Sequence, residues 1–197
     1  MGLMQFWVCS TMQNMEEFEI TFFEVNVKEL EVKLLEVGAE KVGEYHFRRA
    51  LFDYPDMRMN AKNSWLRLRT DGQKVTLAYK SKTGDDVKEI EVIVEDYEKT
   101  YTLLKSMGLV VKREEENKRI KYQKGNTTFD IDSWPQIPVY LEIESTSIQE
   151  ARNSAGEVGL DPKDGVITSP LDGYKKYGID LNEYSVITFE KMIKKCN

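Results

Sequence analysis

Apolar and charged positions alternate with a period of two along much of this chain, starting at Glu17-Phe18-Glu19-Ile20-Thr21-Phe22. Side chains two apart on an extended strand share a face, so such a stretch predicts a strand with one charged side and one apolar side. The habit recurs at Arg67 with Arg69, Lys80 with Lys82, Glu89 with Glu91, Arg119 with Lys121, Asp130 with Asp132, and Glu142 with Glu144. The pattern predicts strands over 17–22, 44–53, 65–69, 75–82, 88–94, 110–122, 127–132 and 139–144. Asp71-Gly72 turns 65–69 into 75–82 as a hairpin.

Between strands the period lengthens to that of a helix. Asn26 with Glu29 opens one, carried by Leu30, Leu34 and Val37 and stopped by Gly38. Asp96 opens a second, with Tyr97, Tyr101, Leu104 and Met107 on one face before Gly108. Ser147 with Glu150 starts a third that ends near Gly159, and 171–177 is a short fourth. Eight mostly antiparallel strands with helices make an α+β domain. Charge on one face fits either an open sheet with a wet surface or a closed barrel with a charged lumen and peripheral helices. The closed barrel is the expectation. Phe18, Ile20, Leu66, Leu68, Ile90, Val92, Ile120, Phe129, Ile131, Leu141 and Ile143 would then pack on the helices, leaving the charges to face one another.

Composition narrows the function. The chain has 197 residues, which suits one domain, with 1–14 as a dispensable extension and 15–192 as the folded unit. A net charge of -6 argues against a nucleic-acid footprint. The apolar run Phe6-Trp7-Val8-Cys9 is too short to span a bilayer, so no membrane association is expected. Cys9 and Cys196 have no paired spacing, which fits a reducing cytoplasm. His46 is the only histidine, with no nucleophile motif beside it, and reads as a surface residue on an edge strand.

A lumen lined by these pairs would hold eight acids (Glu17, Glu19, Glu89, Glu91, Asp130, Asp132, Glu142, Glu144) and six bases (Arg67, Arg69, Lys80, Lys82, Arg119, Lys121), a balance of -2. Each pair alone reads most simply as a solvated strand face. Repeated over consecutive strands, with the sign set strand by strand, they fit a site for divalent cations and a polyphosphate, since desolvated ions need partners.

These residues resemble the CYTH, or triphosphate tunnel metalloenzyme, family, which includes class IV adenylyl cyclases, thiamine triphosphatases and inorganic triphosphatases. Glu17-Phe18-Glu19-Ile20-Thr21 matches its opening Glu-x-Glu-x-Lys except at Thr21. Leu66-Arg67-Leu68-Arg69 and Tyr79-Lys80-Ser81-Lys82 match its basic strands, and 88–91, 119–122, 129–132 and 141–144 continue the likeness, most closely to short prokaryotic proteins grouped with class IV cyclases. The resemblance implies an eight-stranded tunnel in which Glu17, Glu19, Glu142 and Glu144 hold Mg²⁺ or Mn²⁺. It assigns the triphosphate to Arg67, Arg69, Lys80, Lys82, Arg119 and Lys121, with Asp132 and Arg119 as catalytic residues. The substrate would be ATP, thiamine triphosphate or tripolyphosphate, cyclised or hydrolysed, and a homodimer is compatible with it. Thr21 and Asn117 stand where the family carries Lys, and Leu51 where many relatives carry Tyr. A binding module with weak or no catalysis is therefore the alternative.

Overall fold

Local sequence signals set the order of elements in the computed structural model, which describes residues 18–83, 86–168 and 170–195. They run β1 (Phe18–Phe23), α1 (Val27–Glu36), β2 (Glu40–Asp53), β3 (Ser64–Thr70), β4 (Val75–Thr83), β5 (Asp86–Val94), α2 (Tyr97–Ser106) and β6 (Val110–Lys124). Then follow β7 (Thr127–Ser133), β8 (Tyr140–Ser145), α3 (Ile148–Glu157), α4 (Pro170–Lys176), β9 (Tyr184–Ile187) and β10 (Met192–Lys194). The expected metal ligand Glu17, the segment 1–14 and both cysteines lie outside the described residues.

Each of the three longer helices begins where a polar side chain can accept a free backbone N–H. Asn26 accepts from Glu29 N, Asp96 from Lys99 N at 2.9 Å, and Ser147 from Glu150 N at 3.1 Å. Gly38 and Gly108 follow α1 and α2 at φ of +80° and +91°, the left-handed region where a side chain would strain the backbone.

The main sheet runs β1-β8-β7-β6-β2-β3-β4-β5, with every neighbouring pair antiparallel. The closed barrel expected from sequence is not reached through backbone hydrogen bonds: β1 and β5 end the path and do not pair among the described residues. A physical reason lies on the free edge of β1, where Thr21 N donates to Val166 O at 2.8 Å and Val166 N donates back to Thr21 O at 3.0 Å. The result is an antiparallel α+β sheet with one charged and one apolar face.

On the apolar face, Leu30 and Leu34 of α1 and Ala151 and Ala155 of α3 pack on Ile20, Phe22, Phe129, Ile131, Leu141 and Ile143. Tyr97 and Leu104 of α2 pack on Ala50, Phe52 and Leu68. Burying one such leucine contributes about 1.5–3 kcal/mol. Phe18, Ile90 and Val92 depart from expectation, being 36%, 63% and 51% exposed. α2 lies mainly over β3 and β6, and at β5 it meets Val94 at the strand's end, which leaves Ile90 and Val92 open. His46 sits on β2, an interior strand of the sheet, and faces outward beside Glu116 at 3.7 Å and the edge of Phe189. Among the described residues no helix is long and apolar enough to cross a membrane.

Asp53, at the end of β2, organises the connection to β3. Its buried carboxylate accepts from Tyr54 N at 2.7 Å, Met59 N at 3.0 Å and Asn60 N at 2.9 Å. Hydrogen bonds to a charged group contribute about 1.5–3 kcal/mol, so Asp53→Ala should lose at least that much stability in urea unfolding. A loss below about 0.5 kcal/mol, within the usual range for surface substitutions, would show that the loop holds itself.

Candidate functional site

The i and i+2 pairs place their charges on the face opposite the helices, and strand order sorts them by sign. β1, β8, β7 and β6 bring Glu19, Glu142, Asp130 and Asp132 around Arg119. The Arg119 guanidinium grips Asp132 in a fork, Nε to Oδ1 at 2.7 Å and Nη2 to Oδ2 at 2.6 Å. It also donates to Asp130, and to Glu142 Oε2 at 2.7 Å. Lys121 lies 3.8 Å from Asp130. Glu144 stands opposite Glu19 on one side and Thr128 on the other.

Four carboxylates around one guanidinium leave negative charge in excess. Burial raises the pKa of Glu142 well above the usual carboxylate range, and nearby Glu19 adds to it. Glu19 and Asp130 are raised too, by burial first, with Arg119 pulling the other way. In each of them the charged form is less favoured than in a free carboxylate, and a further cation would offset that. Among the described residues no three carboxylates converge into a ready-made cage. The donor set still fits magnesium or manganese, hard cations that take a few carboxylates and complete their shell with water and substrate oxygens. Asp132 has both oxygens engaged by Arg119, which gives it the part of an orienting anion.

The other half, on β3 and β4, is basic. Arg67 Nη2 reaches Glu89 at 2.9 Å and Glu91 at 3.4 Å, Arg69 reaches Glu91 at 3.6 Å, and Lys80 reaches Glu89 at 2.7 Å. Burial, then the neighbouring guanidiniums of Arg69 and Arg49, push Arg67 down to about 10. Lys80 is lowered by burial and by Arg67. Lys82 is exposed, and its backbone N–H donates to Asn63 O at 2.9 Å. Positive charge is in excess here, as negative charge is across the sheet.

Buried polar atoms that lack a hydrogen-bond partner mark the same face. Asp130 Oδ1 is such an acceptor in the acidic half; Arg67 Nε and Arg49 Nε are such donors on the basic side. Trp134 Nε1, Tyr140 Oη and Thr76 Oγ1 are also unpartnered. Orphaned buried donors and acceptors are rare, and so many on one face point to a polar ligand.

Sequence reasoning left out Arg49, Arg113 and Glu115, all on this face. Arg113 is buried, pairs with Glu115, and donates to Leu181 O at 3.1 Å. That contact belongs to a cap formed by residues 170–194. Tyr174, Leu181 and Ile187 pack on Trp134 and Tyr140, β9 pairs in parallel with β6, and Tyr174 Oη donates to Pro135 O at 2.7 Å. One end of the charged face is thereby closed. The alternation Tyr45, Phe47, Arg49, Leu51 was the available signal for Arg49, but a lone charge among apolar residues does not form a pair.

Thr21 is buried opposite Glu142, Asn117 is buried beside Arg49 and Asp132, and Leu51 lies opposite Arg67 and Arg113. No cationic side chain occupies either position at which the family resemblance leads one to expect lysine.

Solved structures share this architecture. An adenylate cyclase candidate from Vibrio parahaemolyticus superposes with a TM-score of 0.72 at 14% identity, covering 83% of this chain and 99% of that one. The PH1012 protein from Pyrococcus horikoshii OT3 gives 0.67 at 23% identity, covering 80% and 98%. An adenylyl cyclase candidate from Hippeastrum, described as having a dominant triphosphatase activity, gives 0.60 at 15% identity, covering 85% and 99%. No curated protein matches the chain. Residues 15–168 match the model of the CYTH domain, and the chain belongs to the CYTH family.

Proposed function

We propose that the charged face binds a triphosphate together with divalent metal and cleaves it, by hydrolysis or by cyclising a nucleoside triphosphate such as ATP. The observation that carries this reading is the separation of unmet charge. Carboxylates with raised pKa and an unpartnered acceptor lie on one side, and buried arginines with unpartnered donors on the other. A metal-bound polyphosphate is the ligand that satisfies both, its cation toward the acids and its oxygens toward the bases. In this reading β1 and β5 curl toward each other into a tunnel, closed by side chains and ligand where backbone pairing stops. The cytoplasm is the expected setting.

Glu19 and Glu142, joined by Glu17 and Glu144, would hold Mg²⁺ or Mn²⁺. The bound metal supplies charge neutralisation for the phosphates and for the group that leaves. Arg67 and Arg69 present forks matched to phosphate oxygens, and Lys80 a point charge. Asp132 fixes Arg119 in place, so its remaining reach is directed at Glu142 and at a neighbouring phosphate. The cap over Trp134 and Tyr140 keeps water from one end.

The test offers ATP, GTP, thiamine triphosphate and tripolyphosphate with Mg²⁺ or Mn²⁺ and separates cyclic nucleotide from orthophosphate. At least one should be turned over, and Arg67→Ala should weaken its binding about tenfold to a hundredfold in calorimetry, the range of a lost charge-assisted contact. Binding without product would identify a binding module. Absence of binding by all four would refute the reading.

A further inference from the structure

β2 is the strand on which the two halves of the site meet, since it pairs with β6 on one side and β3 on the other. Of Tyr45, Phe47, Arg49 and Leu51 along its charged face, Arg49 alone is ionised. Register sets it opposite Arg69 of the basic half and opposite Glu115 of β6.

Arg49 differs from the other cations around it in its partners. Arg67, Arg69, Lys80, Arg113, Arg119 and Lys121 each have a carboxylate within 4.0 Å, and Arg49 has none among the described residues. Its Nε is buried with nothing to donate to. What holds the guanidinium is neutral: it donates to Asn117 Oδ1, and its central carbon lies 4.7 Å from the centre of the Trp134 ring. Asn117 in turn donates to Asp132 Oδ1 at 3.4 Å, which ties Arg49 to the Arg119 cluster. Amide and indole fix the position of the cation without placing a carboxylate in contact with it.

Such a group is ready for an anion. An arginine keeps its proton at any working pH, so it cannot relieve burial by becoming neutral as a lysine can. Burial together with the Arg69 guanidinium disfavours its charge, in opposition to Glu115. An arriving phosphate removes that penalty and fills the free Nε. Among the described residues no aspartate or glutamate comes within 4.0 Å of it, so a ligand can bring the contact charge that Glu115 and Asp132 supply only from farther off.

We propose that Arg49 is a further phosphate-binding residue, which grips the stretch of a bound triphosphate lying between the carboxylates around Arg119 and the arginines of β3. This rests on the triphosphate reading and deepens it. It also locates, on β2, positive charge that Thr21 and Asn117 do not supply. Because Phe47 pairs with Asn117, and Arg49 touches Asn117, a lysine at 117 would put a cation in nearly the same place from the neighbouring strand.

The experiment is calorimetric titration of the full chain with tripolyphosphate and Mg²⁺. Arg49→Gln keeps an amide donor for Asn117 and loses the charge, and should weaken binding about tenfold to a hundredfold. The double change Arg49→Gln/Asn117→Lys should recover most of that loss, which a purely structural role for Arg49 would not allow. Circular dichroism melting checks that each variant folds. Should Arg49→Gln fail to fold, Arg49→Lys takes its place, with a loss of about threefold to tenfold expected from the missing fork. Binding by the single variant within about twofold of the unaltered chain, or a loss that Asn117→Lys leaves untouched, overturns the assignment and leaves the triphosphate reading standing. Failure of the unaltered chain to bind any of the four triphosphates overturns both.

Discussion

Arg119→Met is expected to lower the unfolding free energy by about 3–5 kcal/mol, the range for removing one partner of a buried ion pair. Arg119 is the cation shared by Asp130, Asp132 and Glu142, and each is less than one-eighth exposed, at 5%, 1% and 12% of the side chain. Methionine fills similar space and leaves those carboxylates facing one another. The loss should depend on pH, and the sign follows from the direction of the shifts. Asp130, Glu142 and Glu19 already bind protons more tightly when folded than a free carboxylate does, and removing Arg119 strengthens that preference. A raised folded pKa contributes stability below the ordinary carboxylate range and loses it as pH climbs through the raised value. The variant should therefore lie nearer the unaltered chain at low pH than at pH 8 in urea unfolding. A deficit below about 1 kcal/mol, or one of equal size at both pH values, would mean that Arg119 is not what holds this cluster together.

The charged strands were legible because their side chains come in like-signed pairs two residues apart, a pattern that sets strand face and chemistry at once. Glu19, Arg67, Arg69, Lys80, Arg119, Lys121, Asp130, Asp132 and Glu142 fall on one face for that reason. β6 was harder to read: Lys112, Arg113, Glu114, Glu115 and Glu116 alternate no sign and no polarity, so nothing in order alone shows that Arg113 and Glu115 turn inward. Arg49 escaped because its face of β2 is otherwise aromatic and aliphatic. β9 and β10 were missed because they are four and three residues long and gain their stability from pairing with β6 and with each other. Closure of the sheet by backbone pairing was not legible for a different reason. Whether the last strand meets the first depends on twist accumulated over the sheet and on what occupies each edge, and the bridge from Thr21 to Val166 has no local signature. Ile90 and Val92 show the same limit: alternation tells which face a side chain takes and says nothing about whether a helix covers it.

Glu142→Gln should separate stability from metal response. In the bare chain, ionised Glu142 opposes folding because burial and Glu19 disfavour its charge, so an amide in its place should leave the protein at least as stable at pH 8. Its oxygen can still accept from Arg119, which keeps that hydrogen bond. The response to Mg²⁺ and tripolyphosphate should move the opposite way. A ligand at a hundred times its dissociation constant raises stability by about 2.7 kcal/mol, or roughly 5–10 °C in melting temperature for a domain of this size. Glu142→Gln removes a proposed ligand of the cation, and its shift should fall below about half of that at the same concentrations. In the unaltered chain the shift should grow from pH 5.5 to pH 8, because the cation displaces protons that Glu142 and Glu19 hold above the usual range. Differential scanning fluorimetry at both pH values, with and without EDTA, reads all of this. An equal metal-dependent shift in Glu142→Gln and the unaltered chain would take Glu142 out of the metal site, and a shift independent of pH would take both carboxylates out of it.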